Sequence, residues 1–109
     1  MWALFFAPAT KGEVRYRKTS AHNQITVEDS GGYRMLRFNG SMETRMWIRI
    51  PIYGHFEYTE YFQMPLLWNP HAKRVLMIGL GGGSTFRAFN NYYPDIHMDT
   101  VELDPEVAK

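Results

Sequence analysis

Residues 74 to 89 read Arg-Val-Leu-Met-Ile-Gly-Leu-Gly-Gly-Gly-Ser-Thr-Phe-Arg-Ala-Phe, and their spacing could do chemistry. An apolar run, Val75 to Ile78, breaks into Gly79-Leu80-Gly81-Gly82-Gly83, and a helix-like pattern with Phe86 and Phe89 comes after it. Strand, glycine turn and helix in that order form the first turn of a nucleotide-binding α/β unit. One glycine permits a tight turn, one lets the backbone approach a ligand, and one lets helix and strand pack closely. The helix start offers free N–H groups and a positive dipole end. A second apolar run from Ile96 to Leu103 carries Glu102 and is followed by Asp104. These acids lie about 20 residues past the glycines, where an acid holding a ribose hydroxyl pair belongs. The alternative is a glycine-rich loop in an α/β unit that binds nothing.

These pieces need elements to hold them. Val14 to Tyr16 alternates, and His22 to Val27 leads into the turn cluster Glu28-Asp-Ser-Gly-Gly32. Tyr33 to Phe38 comes next, then Asn39-Gly40, a hairpin signal. Met46 to Ile50 is a further apolar run, ended by Pro51. Together they predict a small antiparallel meander with one face toward a core. From His55 the period changes: Phe56, Tyr58, Tyr61, Phe62 and Pro65 to Leu67 predict a helix of three turns, with Pro65 near its end. The helix after the glycines should run from Ser84 to about Tyr92 and stop before Pro94. Asp104 has two readings, a cap for a helix opened by Pro105 or an acid on the ligand side. The fold class expected is α/β: a meander over residues 1–54, then from residue 55 to 109 the start of a Rossmann-like nucleotide-binding domain. Two parallel strands do not cover their helices, so a fragment or truncated product is expected, one that folds poorly alone.

Composition bounds the function. The chain has 109 residues, 45% hydrophobic, with a net charge of +1. The scattered Lys and Arg give no general pull toward nucleic acid or acidic membranes. There is no Cys, which excludes disulfides, thiolate zinc sites and Cys nucleophiles and agrees with a reducing, cytoplasmic setting. Seven Tyr and seven Phe leave a few aromatic rings to stack on an adenine. The apolar opening Met1 to Ala9 is too short to span a bilayer and reads as a strand or the tail of something cut away. His22, His55, His71 and His97 have no metal spacing, so no metal is expected. Glu57 and Glu60 share a helix face; it either attracts a polyamine or is simply solvated.

Class I methyltransferases, aminopropyltransferases and dehydrogenases share the strand, glycine, strand and acid layout. The ordered set of motifs here resembles the spermidine synthase family, the polyamine aminopropyltransferases, over roughly residues 18 to 107. Ser20 to Val27 is similar to the family's Ser-x-Tyr-Gln-x-Ile-x-Val, and Leu36 to Gly40 to its Leu-x-Leu-Asp-Gly. Tyr58-Thr-Glu60 with Pro65 resembles its Tyr-His-Glu helix and the proline beyond. Lys73 to Gly83 resembles Lys-Arg-Val-Leu-x-Ile-Gly-Gly-Gly-Asp-Gly, and Val101 to Asp104 resembles Val-Glu-Ile-Asp.

The resemblance implies decarboxylated S-adenosylmethionine as cosubstrate, with no tightly bound cofactor. Its aminopropyl group would pass to putrescine or a related amine, releasing methylthioadenosine. The cosubstrate-binding residues implied are Asn23, Tyr58, Gly79, Gly81, Gly82, Gly83, Glu102 and Asp104, with Glu102 on both ribose hydroxyls. The catalytic base, which deprotonates the attacking ammonium, is expected beyond Lys109, so no catalytic residue is expected in this chain. A homodimer or tetramer is implied for the complete protein.

Asn23 stands for the family's Gln, Thr59 for its His and Asn39 for an Asp. Gly82 stands for the Asp that holds the cationic amine of the aminopropyl arm, so Gly82→Asp is expected to raise affinity for the decarboxylated donor. The Gly-Leu-Gly-Gly-Gly pattern resembles the divergent spermidine synthase-like branch. That branch includes forms fused to a membrane transporter domain, of which Met1 to Ala9 would be the end. The alternatives are an S-adenosylmethionine-dependent methyltransferase on the same scaffold and a non-catalytic nucleotide-binding or assembly module.

Overall fold

In the computed structural model, residues 12–109 are described; the expectation for Met1 to Ala9 lies outside them. Strand β1 (Glu13–Thr19), β2 (Gln24–Ser30), β3 (Tyr33–Phe38) and β4 (Ser41–Trp47) form an antiparallel sheet in the order β1-β2-β3-β4. Ser30 pairs with Tyr33 and Phe38 with Ser41, so each of these hairpins turns on two residues. Those residues are Gly31-Gly32 (φ 58° and 82°) and Asn39-Gly40 (φ 52° and 86°). Two positive φ values in succession match the twist of the flanking strands, which is why these dipeptides occur there.

The fourth strand differs from expectation. It begins directly after the Asn39-Gly40 turn, and residues 48–50 bend away instead of continuing it. Register from the tight turn overrides the apolar run, because once Phe38 faces Ser41 the next residues are already paired. Tyr53 N donates to the Ile50 carbonyl and Trp47 N to the Tyr53 carbonyl, folding residues 47–53 back on themselves. Gly54 (φ 80°) closes the loop where a Cβ would collide with the Trp47 ring.

The expected three-turn helix is two pieces, a 3-10 helix (Glu57–Gln63) and the single-turn α1 (Pro65–Trp68). Pro65 opens α1 instead of lying near a helix end. Its missing N–H is harmless at a first helical position and disruptive inside a helix. Then come β5 (Arg74–Ile78), α2 (Ser84–Tyr92) and β6 (His97–Val101), a βαβ unit whose two strands pair in parallel from Arg74↔His97 to Ile78↔Val101. The architecture is mixed α/β, and none of its described helices is long and apolar enough to cross a membrane.

Among the described residues, Ile25 of β2 and Phe89 of α2 are the buried apolar side chains, at 2% and 3% exposure. Phe89 packs beside the Tyr93 ring, whose hydroxyl donates to Gln63 Oε1 and ties α2 to the 3-10 helix. One face of the parallel pair is open: Leu76, Ile78 and Val101 are exposed there beside Arg74 and Asp99. Asp29 on β2 joins three strands, accepting from Arg34 of β3 at 2.8 and 2.9 Å and from Arg15 of β1 at 2.8 Å.

Phe89→Ala should cost about 3–5 kcal/mol, the range for a buried aromatic truncation, measured as a lowered urea midpoint. Acid should also destabilise the sheet. Hydrogen bonds from Arg34, then Arg15, hold the Asp29 carboxyl below the usual carboxylate range. A depressed folded pKa contributes stability above the unfolded value, about 3.9, and loses it as pH falls below that value. Stability should therefore drop from about pH 5 to about pH 2, and Asp29→Asn should flatten the drop. An unchanged acid profile in that variant would show that Asp29 is not its source.

Candidate functional site

The glycine turn joins β5 to α2. Gly79, Gly81 and Gly83 have φ values of 88°, 54° and 74°, the left-handed region where a Cβ is costly. Gly83 is also the residue that caps the start of α2. The turn's own N–H groups are largely spent within the protein. Gly79 N donates to the Val101 carbonyl at 2.7 Å and Gly83 N to the Leu80 carbonyl at 3.0 Å. Leu80 N donates to Glu102 Oε2 at 2.8 Å, and Gly82 N to Thr44 Oγ1 at 2.9 Å.

Glu102 comes directly after β6 and lays its half-buried carboxylate against the turn. Its other oxygen, Oε1, accepts from Asp104 N at 2.9 Å. The N–H groups of Asp104 and Leu80 hold this carboxyl below its ordinary pKa, so it is an anion at neutral pH. A carboxylate has about four acceptor positions, and the Gly81 and Leu103 N–H groups also help to lower its pKa.

Asp104 is 1% exposed. Its Oδ2 accepts from Ser20 Oγ at 2.5 Å and Asn23 Nδ2 at 3.1 Å, and Oδ1 accepts from Glu106 N at 3.0 Å. Ser20, then Asn23, keep it below the usual carboxylate range. Of its two readings, the cap describes the Glu106 N contact, although residues 105–107 form a turn in place of the expected helix. Asn23 is committed to the same network, since its Oδ1 also accepts from Asn39 Nδ2 at 3.3 Å.

A cavity of about 630 Å³ lies between the sheet and the turn. Ile25, Leu36, Thr44 and Met46 form one wall, and Gly81, Gly82, Gly83 and Arg87 belong to the other. Arg87 Nε is buried and has no hydrogen-bond partner. The eight residues named from the sequence thus divide. Gly81, Gly82 and Gly83 line the cavity, Gly79 starts the turn and Glu102 braces it. Asn23 and Asp104 bond to each other. Tyr58 does not line the cavity; its hydroxyl donates to the Glu43 carbonyl at 3.3 Å. Glu60 accepts from Gln63 at 3.0 Å and lies 2.6 Å from His55 Nε2. Among the described residues, no group of three or more His, Asp or Glu gathers as a metal set would.

Thr44 and Arg87 were not found from the sequence. Arg87 had a usable signal, since it falls one turn after Gly83 on the same helix. Thr44 had none, because only the pairing of β4 brings it over the turn. It also changes the expectation for Gly82→Asp. A Cβ at position 82 would lie 2.6 Å from Thr44 Cγ2 and 2.7 Å from Thr44 Cβ. The single change should therefore displace the turn and lower the melting temperature instead of simply adding a ligand. Pairing it with Thr44→Gly should recover part of the loss, a coupling of about 0.5–3 kcal/mol in a double-mutant cycle. Strictly additive effects would show that the two positions do not compete for space.

The chain is 47% identical over 103 residues to a polyamine aminopropyltransferase of Vibrio vulnificus, covering 86% of this chain and 33% of the relative. A polyamine aminopropyltransferase of Chromobacterium violaceum is 31% identical over 85 residues, 77% of this chain and 33% of that one. That of Prochlorococcus marinus is 32% identical over 100 residues, 91% and 33% respectively. No protein-family model and no solved structure matches. The chain spans about a third of the length of these relatives, and over that shared stretch it belongs to the polyamine aminopropyltransferase family.

Proposed function

We propose that this chain supplies the adenosyl-binding part of a spermidine synthase-like aminopropyltransferase. Its donor is decarboxylated S-adenosylmethionine and its acceptor is putrescine or a related amine. One observation carries the reading: an ionised Glu102 is seated on the Leu80 N–H of the glycine turn. Free turn amides would favour a phosphate. Here the Leu80 and Gly82 amides are occupied and a carboxylate stands beside them. An anion beside the turn suits a cationic sulfonium nucleoside, with two acceptor oxygens for the ribose hydroxyls. The glycines let the backbone pass close to the adenosyl group. In this reading the βαβ unit opens a Rossmann-like domain from residue 55, and the antiparallel meander before it builds a dimer or tetramer interface.

The reaction is a displacement at the carbon beside the sulfonium. The amine nitrogen forms a bond to that carbon while the carbon–sulfur bond breaks. The electron pair stays on sulfur, and methylthioadenosine leaves as a neutral thioether. The attacking nitrogen must first lose a proton, so a base and in-line placement are required. That base belongs to polypeptide beyond Lys109 in this reading.

A second reading, a methyltransferase using carboxylated S-adenosylmethionine, is favoured by Arg87. Its unpartnered guanidinium Nε on the cavity wall suits a carboxylate. Titration calorimetry separates the two. Tighter binding of the decarboxylated donor supports the aminopropyltransferase, whereas a clear preference for the carboxylated one replaces it with the second reading. Glu102→Gln should weaken methylthioadenosine binding by about 1–3 kcal/mol, the cost of a lost charge-assisted hydrogen bond. Unchanged affinity would show that Glu102 does not hold the ribose.

A further inference from the structure

We infer that Asp104 is a positioning residue for Glu102, and that through it Ser20 and Asn23, between β1 and β2, set how the nucleoside-binding carboxylate is presented. The inference rests on the reading of Glu102 as the ribose ligand and extends it to Ser20, Asn23 and Asp104, which do not line the cavity.

A buried charge persists only where donors replace its water. Asp104 has three such donors, and two of them, Ser20 Oγ and Asn23 Nδ2, come from the antiparallel sheet's first loop. That loop is itself fixed. Ser20 Oγ accepts from Asn23 N at 2.9 Å and His22 N at 3.1 Å, and Ser20 N donates to the Asn23 carbonyl at 2.8 Å. The backbone of Asp104 then acts on the site, because its N–H holds Glu102 Oε1 while Leu80 N–H holds Oε2. Two donors on different oxygens fix both the position and the plane of the carboxylate. The flanking residues Leu103 and Pro105 are exposed, so among residues 103–105 it is the Asp104 side chain that is anchored. The chain of contacts runs from the meander, through Asp104, to Glu102 and the glycine turn.

The test uses the 109-residue chain with two probes, methylthioadenosine and its 2′-deoxy analogue, in titration calorimetry. Asp104→Asn places an amide N–H against Asn23 Nδ2. It should weaken the ribonucleoside about tenfold, within the range of one charge-assisted bond, and the deoxy analogue less than about twofold. The double variant Asp104→Asn with Asn23→Asp exchanges donor and acceptor and should restore ribonucleoside affinity to within about threefold. Equal losses for both probes would reduce Asp104 to general structural support and overturn the inference. So would wild-type affinity in a folded Asp104→Asn chain. If Asp104→Asn fails to fold, Ser20→Ala carries the same two-probe comparison, with the same outcomes deciding it. Glu102→Gln distinguishes the failures. If it keeps the preference for the ribonucleoside, the ribose reading itself falls. If it loses that preference while Asp104→Asn keeps it, only the role of Asp104 falls.

Discussion

An ionised carboxylate shut away from water must be given donors by the protein, and Asp104 is such a group. Its partners Ser20 and Asn23 lie 84 and 81 residues away in the chain. Satisfying it therefore forces the loop between β1 and β2 against the end of β6. A one-partner deletion in such a network leaves a buried polar group uncompensated, which costs more than the bond itself contributed. Thr44 makes a second tie of the same kind, from β4 to the Gly82 amide. Between these two attachments the meander and the glycine turn enclose the cavity.

The glycine turn shows how local geometry and electrostatics divide the work. Left-handed backbone at Gly79, Gly81 and Gly83 is a steric requirement that glycine meets without strain. What the turn offers a ligand is a separate matter. In an open phosphate loop the amides face outward, whereas here Glu102 and Thr44 accept from Leu80 and Gly82. The same strand–turn–helix sequence can thus present either a positive or a negative mouth. What decides is whether the turn amides are left open or taken up inside the protein, as Leu80 and Gly82 are here.

The apolar face formed by Leu76, Ile78 and Val101 stands in contrast to the well-satisfied polar network. Exposed apolar area of this kind contributes nothing to stability until something covers it. With Ile25 and Phe89 as the buried apolar side chains among the described residues, order in this stretch leans heavily on sheet pairing and on the hydrogen bonds of Asp29, Asp104 and Glu102.

Local rules made several elements legible in the sequence. Gly31-Gly32 and Asn39-Gly40 marked two hairpins because few other residues accept two positive φ values in succession. The run from Arg74 to Phe89 marked strand, turn and helix, and Pro94 marked where the helix stops. Those same rules misplaced β4, whose polar first half looked unlike a strand, and merged two short helices across Pro65. Glu102 was legible as a candidate from its distance past the glycines. Its seating on Leu80 N–H was not, nor were the burial of Asp104 and the approach of Thr44 to Gly82. Backbone conformation is set by neighbours along the chain. Which hydroxyl, amide or acid meets a given donor depends on strands paired across tens of residues, and only the tertiary structure decides that.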